Sequence, residues 1–504
     1  MSTPGGERGA LAIVLHTHMP YVEGFGTWPF GEEWLWEAIV GCYLPLLELL
    51  DAGAPLTLSL TPVLCDQLQA PGVPARFATF VDEVRRYTHD EDAKGLRAGG
   101  HETLAREVER AWGDYERALE RFTACGGDLV RSFARHAQWT SSATHAVLPL
   151  LATDAGVRAQ IETGIASHRA RFGGGDGEDA GRSARPGPGG GWRGGFWLPE
   201  CAYAPWLEPA LAGAGVRATC VELTGRFGLG AREHLRPLAS ESGVTLVPVD
   251  RATMQLVWSD GGYPASGVYR DYHHHTVHHH TPWGNDGAAY DHTRAGALAK
   301  EHAADFVART SERLRRDGQG LPGGGLAVCA LDTELLGHWW YEGVAWLAAV
   351  VEECDRQGLE LVRLDDALEL IEPAPFADHE GRAEIWGAGD RGAGDVSSWG
   401  EDGDLSTWSG PRVAEPAFAT RAAELKVVAA GASAGAAAVR ELLALQASDW
   451  TFMVSRGLAV PYARERFEGH SRALERALGE GSGASEEELR NLAVYADLAA
   501  LLVQ

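Results

Sequence analysis

At 504 residues and 45% apolar content, the chain is long enough to bury a large core and to divide into two or three domains. Its 70 acidic residues against 44 basic ones leave a formal charge of −26, which argues against nucleic acid or an anionic membrane as partner and suits the handling of a neutral polymer. The seven cysteines are scattered and form no C-x-x-C pair, so neither a zinc ribbon nor a thioredoxin-type site is supported; reduced thiols in a cytoplasm are the simplest account.

The polar, Gly-rich start, Met1 to Gly9, gives way to an apolar run, Ala10 to Leu15, far too short for a signal-peptide core or a membrane span. It reads as the first strand of a buried parallel sheet. The strand ends at His16-Thr17-His18-Met19-Pro20-Tyr21, and H-x-H spacing on an extended chain turns both imidazoles to one side. Such a pair can be half of a metal site or can bond a polar ligand at the strand's C-terminal end.

Helical spacing follows over Trp34 to Leu50, then a strand-like run, Leu56 to Leu60. Residues 76 to 124 are charged and helical, an inserted helical pair. Thr140 to Thr144 is a small-polar run that ends at His145. Residues 173 to 195 hold Gly, Pro, Asp and Arg with almost no apolar content and read as a flexible insertion. Strand-like runs return at Gly195 to Leu198, Arg217 to Val221, Thr245 to Val249 and Leu326 to Leu331. Strands separated by helical stretches predict an α/β fold with a parallel sheet, most simply a closed barrel. After about Glu372 the strand pattern stops, and Pro416 to Gln504 has the composition and period of a helical domain.

Two strand ends carry the chemistry. Trp197-Leu198-Pro199-Glu200-Cys201-Ala202-Tyr203 sets the carboxylate of Glu200 among aromatics, and Leu331-Asp332-Thr333-Glu334 begins a second such stretch that runs on to His338-Trp339-Trp340. Paired carboxylates walled by indoles are what glycosidic bond chemistry needs, one protonating the leaving oxygen and the other attacking or stabilising the sugar cation. Seventeen tryptophans exceed what a core of this size requires. The run His273 to His280, six histidines in eight residues, reads as a surface loop rather than a metal site, because no acidic or cysteine partner brackets it in sequence.

In order along the chain, these blocks resemble glycoside hydrolase family 57, and within it the 1,4-α-glucan branching type. The blocks are His16 to Tyr21, Trp28-Pro29-Phe30-Gly31-Glu32-Glu33-Trp34-Leu35, Ser142 to His145, Trp197 to Tyr203, Asp332 to Gly343, Ser398-Trp399-Gly400-Glu401 with Trp408, and Ser448-Asp449-Trp450. The resemblance implies a (β/α)7 barrel over 1–372 and a helical domain over 373–504 that contributes to the active-site cleft. It implies Glu200 as nucleophile and Asp332 as acid/base, about 5–5.5 Å apart as in retaining enzymes. It places His16, His18, Trp28, His145, Tyr203, His338, Trp339, Trp399, Trp408 and Trp450 against substrate, an α-1,4-glucan such as amylose or a glycogen-like polymer. It implies no cofactor and no required metal; no nucleic acid or membrane partner is expected, and the chain is read as a monomer or small homo-oligomer.

Two features depart from the family's branching pattern. The stretch Arg226 to Ser242 looks short and holds no tyrosine, and the His run stands where another aromatic is usual, with Trp283 the only nearby indole. A hydrolase or 4-α-glucanotransferase on the same scaffold is the alternative. A glucan-binding protein without activity and a metal-dependent deacetylase are further readings; the intact carboxylate pair argues against the first, and a chelator would discriminate the second.

Overall fold

The computed structural model describes residues 9–26, 31–173, 192–376, 396–480 and 491–502. Ten strands lie along the described chain: β1 (Ala10–Thr17), β2 (Thr57–Leu60), β3 (Ala137–Ser141), β4 (Phe196–Trp197), β5 (Ala218–Val221), β6 (Leu238–Ala239), β7 (Thr245–Pro248), β8 (Leu326–Asp332), β9 (Glu360–Val362) and β10 (Ala374–Pro375). Helices separate most of them, and from Ser406 onward the described chain is helical. This is the α/β class that the alternation of strand-like and helical runs predicts. The last short strand, β10, lies just beyond the point where the strand pattern fades in sequence, because two residues are too few to show a period.

The chain forms two compact units, each built from separated segments. One comprises residues 1–56, 68–133 and 250–364; the other comprises 57–67, 134–249 and 365–504.

In the first unit β1 pairs in parallel with both β8 and β9. Every residue of β1 is buried, as is every residue of β8 up to Leu331, which is why both read as unbroken aliphatic runs rather than as alternating ones. The register sets His16 opposite Asp332, so a histidine and a carboxylate leave neighbouring strands at the same level. The predicted helix after Trp34 is helical from Glu32 to Asp51, with a wider π turn over Ile39–Tyr43 just before Pro45, a residue with no N–H to donate. Gly41 on that turn faces Gly337. A Cβ on Gly337 would come within 1.9 Å of the Gly41 carbonyl oxygen, so only paired glycines let the loop after β8 lie on the helix. Helices Val73–Thr79, Arg86–Ala98 and Glu102–Ala124 occupy the charged stretch.

In the second unit β2, β3 and β4 pair in parallel sequence, and β5 pairs in parallel with β7. Gly195 leads into β4, where a Cβ would come within 2.2 Å of the Trp139 indole. That indole donates to Asp365, whose carboxyl is raised to about 6 by burial. The long helix Asp154–Phe172 is tied to the C-terminal helices by Glu424, which accepts from Ala152 N, Thr153 N and Thr153 Oγ1. Of the predicted insertion 173–195, residues 174–191 lie outside the described residues.

Candidate active site

Glu200 and His145 each follow a parallel strand by a few residues, and β3 and β4 pair so that Ser141 lies opposite Trp197. Ser141 Oγ also donates to the Trp197 carbonyl at 2.9 Å. Both candidate side chains thus leave the C-terminal ends of adjacent strands, where α/β enzymes place their chemistry. Both backbones are strained: φ is 61° at His145 and 62° at Glu200, with Cys201 following at 48°. A non-glycine residue in this left-handed region costs roughly 1–3 kcal/mol and persists only where surrounding bonds enforce it.

The enforcing bonds come from the C-terminal segments of the same unit. Tyr203 and Ser397 exchange backbone hydrogen bonds of 2.9 and 3.0 Å, and Trp399 N donates to the Glu200 carbonyl at 3.1 Å. The Trp399 indole N–H then reaches Glu200 Oε2 at 3.0 Å, and Ser448 Oγ donates to Oε1 at 2.9 Å. Ser448 Oγ also lies 2.9 Å from His145 Nδ1, and His145 Nδ1 is 3.8 Å from Glu200 Oε1. Glu200 stays partly exposed, so its charge is fixed in direction yet reachable.

The structure assigns the predicted tryptophans different surroundings. Trp399 is partly buried, with its ring 5.2 Å from that of Trp197. Trp408 is 2% exposed in a cluster with Val147 and Ala202. Trp450 is also 2% exposed, donates its indole N–H to Ala444 O at 2.8 Å and packs beside His470. The resemblance implies a stacking role for Trp408 and substrate contact for Trp450; in the structure both rings are covered by protein, and in Trp450 the polar edge is satisfied by backbone. Tyr203 is likewise buried, with its hydroxyl donated to Glu208. Trp28 lies outside the described residues.

In the first unit, Asp332 ends β8 partly exposed. His16 and His18 turn to one side, their rings stacked at 6.1 Å, as H-x-H spacing on a strand predicts. Burial, then the neighbouring His18, holds His16 below its ordinary range, and burial lowers His338 to about 4. Both are neutral near pH 7 and can therefore both donate to and accept from sugar hydroxyls. Glu334 is buried, accepting from the Tyr43 hydroxyl at 2.7 Å and from the backbone N–H of His18 at 3.2 Å. Burial outweighs these donors and lifts its carboxyl to about 7. His338 and Trp339 border a cleft of about 1180 Å³ in this unit, where Tyr272 packs 4.4 Å from the half-exposed Trp339.

The His run is a loop, and its acidic partner comes from far away in sequence. Asp92, on the helix Arg86–Ala98, bonds His278 Nδ1 at 2.7 Å and accepts from Thr276. Two partners carry little sequence signal: Ser448, within the block Ser448-Asp449-Trp450, and Tyr43, which lies among apolar helical residues. The one signal for Ser448 is a serine opening a helix, which ordinarily reads as a cap; here its hydroxyl is committed to Glu200 and His145 instead.

Parallel strands ending in carboxylates and imidazoles, with indole rings beside them, make up the framework of an enzyme that acts on sugars. Residues 138–379 match the family model for glycosyl hydrolase family 57, and residues 419–496 match that for the 1,4-alpha-glucan branching enzyme C-terminal region. A 1,4-alpha-glucan branching enzyme of Thermococcus kodakarensis is 30% identical, the match covering 94% of this chain and 74% of that protein. A probable 1,4-alpha-glucan branching enzyme of Mycobacterium tuberculosis is 31% identical, covering 96% of this chain and 94% of that one. Among solved structures, the GH57-type branching enzyme of Pyrococcus horikoshii superposes with a TM-score of 0.83 at 28% identity, over 99% of this chain and 97% of that one. The chain belongs to glycosyl hydrolase family 57.

Proposed function

We propose that this protein is a 1,4-α-glucan branching enzyme. It would transfer a segment of an α-1,4-glucan to a 6-hydroxyl by retaining double displacement. Glu200 attacks the anomeric carbon as the leaving oxygen takes a proton from Asp332; the resulting glycosyl ester is then opened by a glucan 6-hydroxyl, whose proton Asp332 takes back. His16, His18, His145 and His338 orient the donor sugar, and Trp339 and Trp399 offer aromatic surface to the glucan.

The observation that carries this reading is the origin of Ser448. It lies within the segment that matches the branching-type C-terminal family, and it donates to the carboxylate proposed as nucleophile. Related proteins named as branching enzymes align over nearly the whole of this chain. We place the catalytic domain at 1–372, with a helical insertion near 76–124 and a further insertion near 173–195, and a helical domain at 373–504. Seven free thiols suit a cytoplasmic enzyme working on a glycogen-like polymer. Among the described residues no helix is long and apolar enough to cross a membrane.

One observation favours a second reading. The stretch Arg226 to Ser242 holds no tyrosine to shield a covalent intermediate from water, which would favour hydrolysis or simple α-1,4 transfer. Incubation with amylose separates the two. New α-1,6 linkages by proton NMR with few new reducing ends establish branching; reducing ends without α-1,6 signals establish a hydrolase.

A further inference from the structure

We propose that Ser448 is a positioning residue for the transfer reaction: its hydroxyl links His145 to Glu200, fixing the plane of the nucleophile's carboxylate and the tautomer of the histidine together. The inference rests on the reading of Glu200 as nucleophile.

A serine hydroxyl carries one hydrogen. An ionised carboxylate only accepts, so the hydrogen of Ser448 lies in the 2.9 Å bond to Glu200 Oε1. The 2.9 Å contact between Ser448 Oγ and His145 Nδ1 must then be donated by the imidazole, which places a hydrogen on Nδ1. In neutral His145 the lone pair is accordingly at Nε2. The order of donors is fixed: imidazole to hydroxyl, hydroxyl to carboxylate.

Ser448 is placed for this by backbone as well as side chain. Its N–H donates to the His145 carbonyl at 3.1 Å, and Ala447 bridges Ala146 in antiparallel fashion one residue earlier. The strained φ at His145 is thus held by the residue that bonds its ring. Trp399 does the matching work on the other oxygen, Oε2. One donor alone leaves a carboxylate free to turn about its last bond; two fixed donors on opposite oxygens define its plane, and with it the direction of the attacking lone pair. Ser448 is 2% exposed, so a polymer chain has no direct access to it and its effect must pass through Glu200 and His145.

The test compares wild type, Ser448→Ala and Ser448→Thr in the full chain, with amylose and with α-maltosyl fluoride as donors. Ser448→Ala should lower kcat roughly ten- to a hundredfold with KM nearly unchanged, the size expected for one hydrogen bond to a charged group. The loss should persist with the fluoride, whose departure needs little acid assistance. The acid limb of kcat/KM should move to higher pH, because a donor to the charged form has been removed. Ser448→Thr keeps the hydroxyl and should restore most of the rate and the acid limb. A Ser448→Ala protein with wild-type kcat and acid limb overturns the proposal. So does one whose rate loss comes with a lowered Tm and an unmoved acid limb, the mark of a purely structural role. Glu200→Ala, assayed with and without azide, tests the reading beneath it. If that variant keeps turnover, the nucleophile assignment falls and the Ser448 inference with it. If it is inactive and azide restores product, while Ser448→Ala behaves as wild type, only the Ser448 inference falls.

Discussion

Two carboxylates just beyond strand ends, one in each compact unit, are held in opposite ways. Glu200 sits on a strained backbone, partly exposed, with donors on both oxygens supplied from some 200 and 250 residues further along the chain. Glu334 sits on an unstrained turn just after its strand, buried, with the Tyr43 hydroxyl and the backbone N–H of His18 among its donors. The first arrangement fixes direction while leaving access. The second shifts protonation, since its donors do not offset burial and the carboxyl rises to about 7. Position and proton affinity are thus set separately, the one by long-range hydrogen bonds and the other by local enclosure.

The largest effect that bears on this contrast is at Glu200 itself. Glu200→Ala should cut transfer on amylose roughly ten-thousandfold, and azide should restore turnover as a glycosyl azide of inverted configuration. Wild-type rates in this variant would break the contrast outright. Asp332→Asn should cost roughly a hundred- to a thousandfold on amylose and much less on a glycosyl fluoride, measured as fluoride release. Trp399→Phe removes the donor to Oε2 and keeps the ring, so kcat should fall about tenfold. Trp450→Phe should leave kcat unchanged and lower stability by about 1 kcal/mol through the bond lost to Ala444, read from urea midpoints.

The last effect concerns Glu334 and is seen only in stability. Its folded carboxyl titrates near 7 against an ordinary 4.5. Between those values the folded chain holds a proton that the unfolded chain has released, so stability falls as pH rises through the window and is flat on either side. The slope from this group reaches at most about 1.4 kcal/mol per pH unit. Glu334→Gln should abolish it, as followed by urea midpoints from pH 4 to 8; an unchanged slope would mean that enclosure at this position does not control protonation.

Much of this was legible in sequence where the signal was local. Ala10 to Leu15 and Leu326 to Leu331 read as strands because strands buried on both faces are continuous aliphatic runs. H-x-H spacing fixed the common side of His16 and His18. Glu200 and Asp332 stood out because each carboxylate follows a strand and is flanked by aromatics. What escaped was long-range. Nothing near Trp450 shows that its indole is satisfied by Ala444, and only the resemblance places it against substrate. Nothing near His278 shows Asp92, more than 180 residues earlier. The interleaving of residues 57–67 with the second unit likewise depends on strand pairing that no window of sequence contains.

The tie of Glu200 to Trp399 and Ser448 also bears on modularity. A helical C-terminal region looks like a unit that could be exchanged between relatives by recombination. In this chain a crossover at residue 372 would separate the proposed nucleophile from two of its side-chain donors, Trp399 and Ser448. A hybrid would inherit catalysis only where the incoming segment brought an indole and a hydroxyl to the same two oxygens, so the two halves of the gene are constrained to change together.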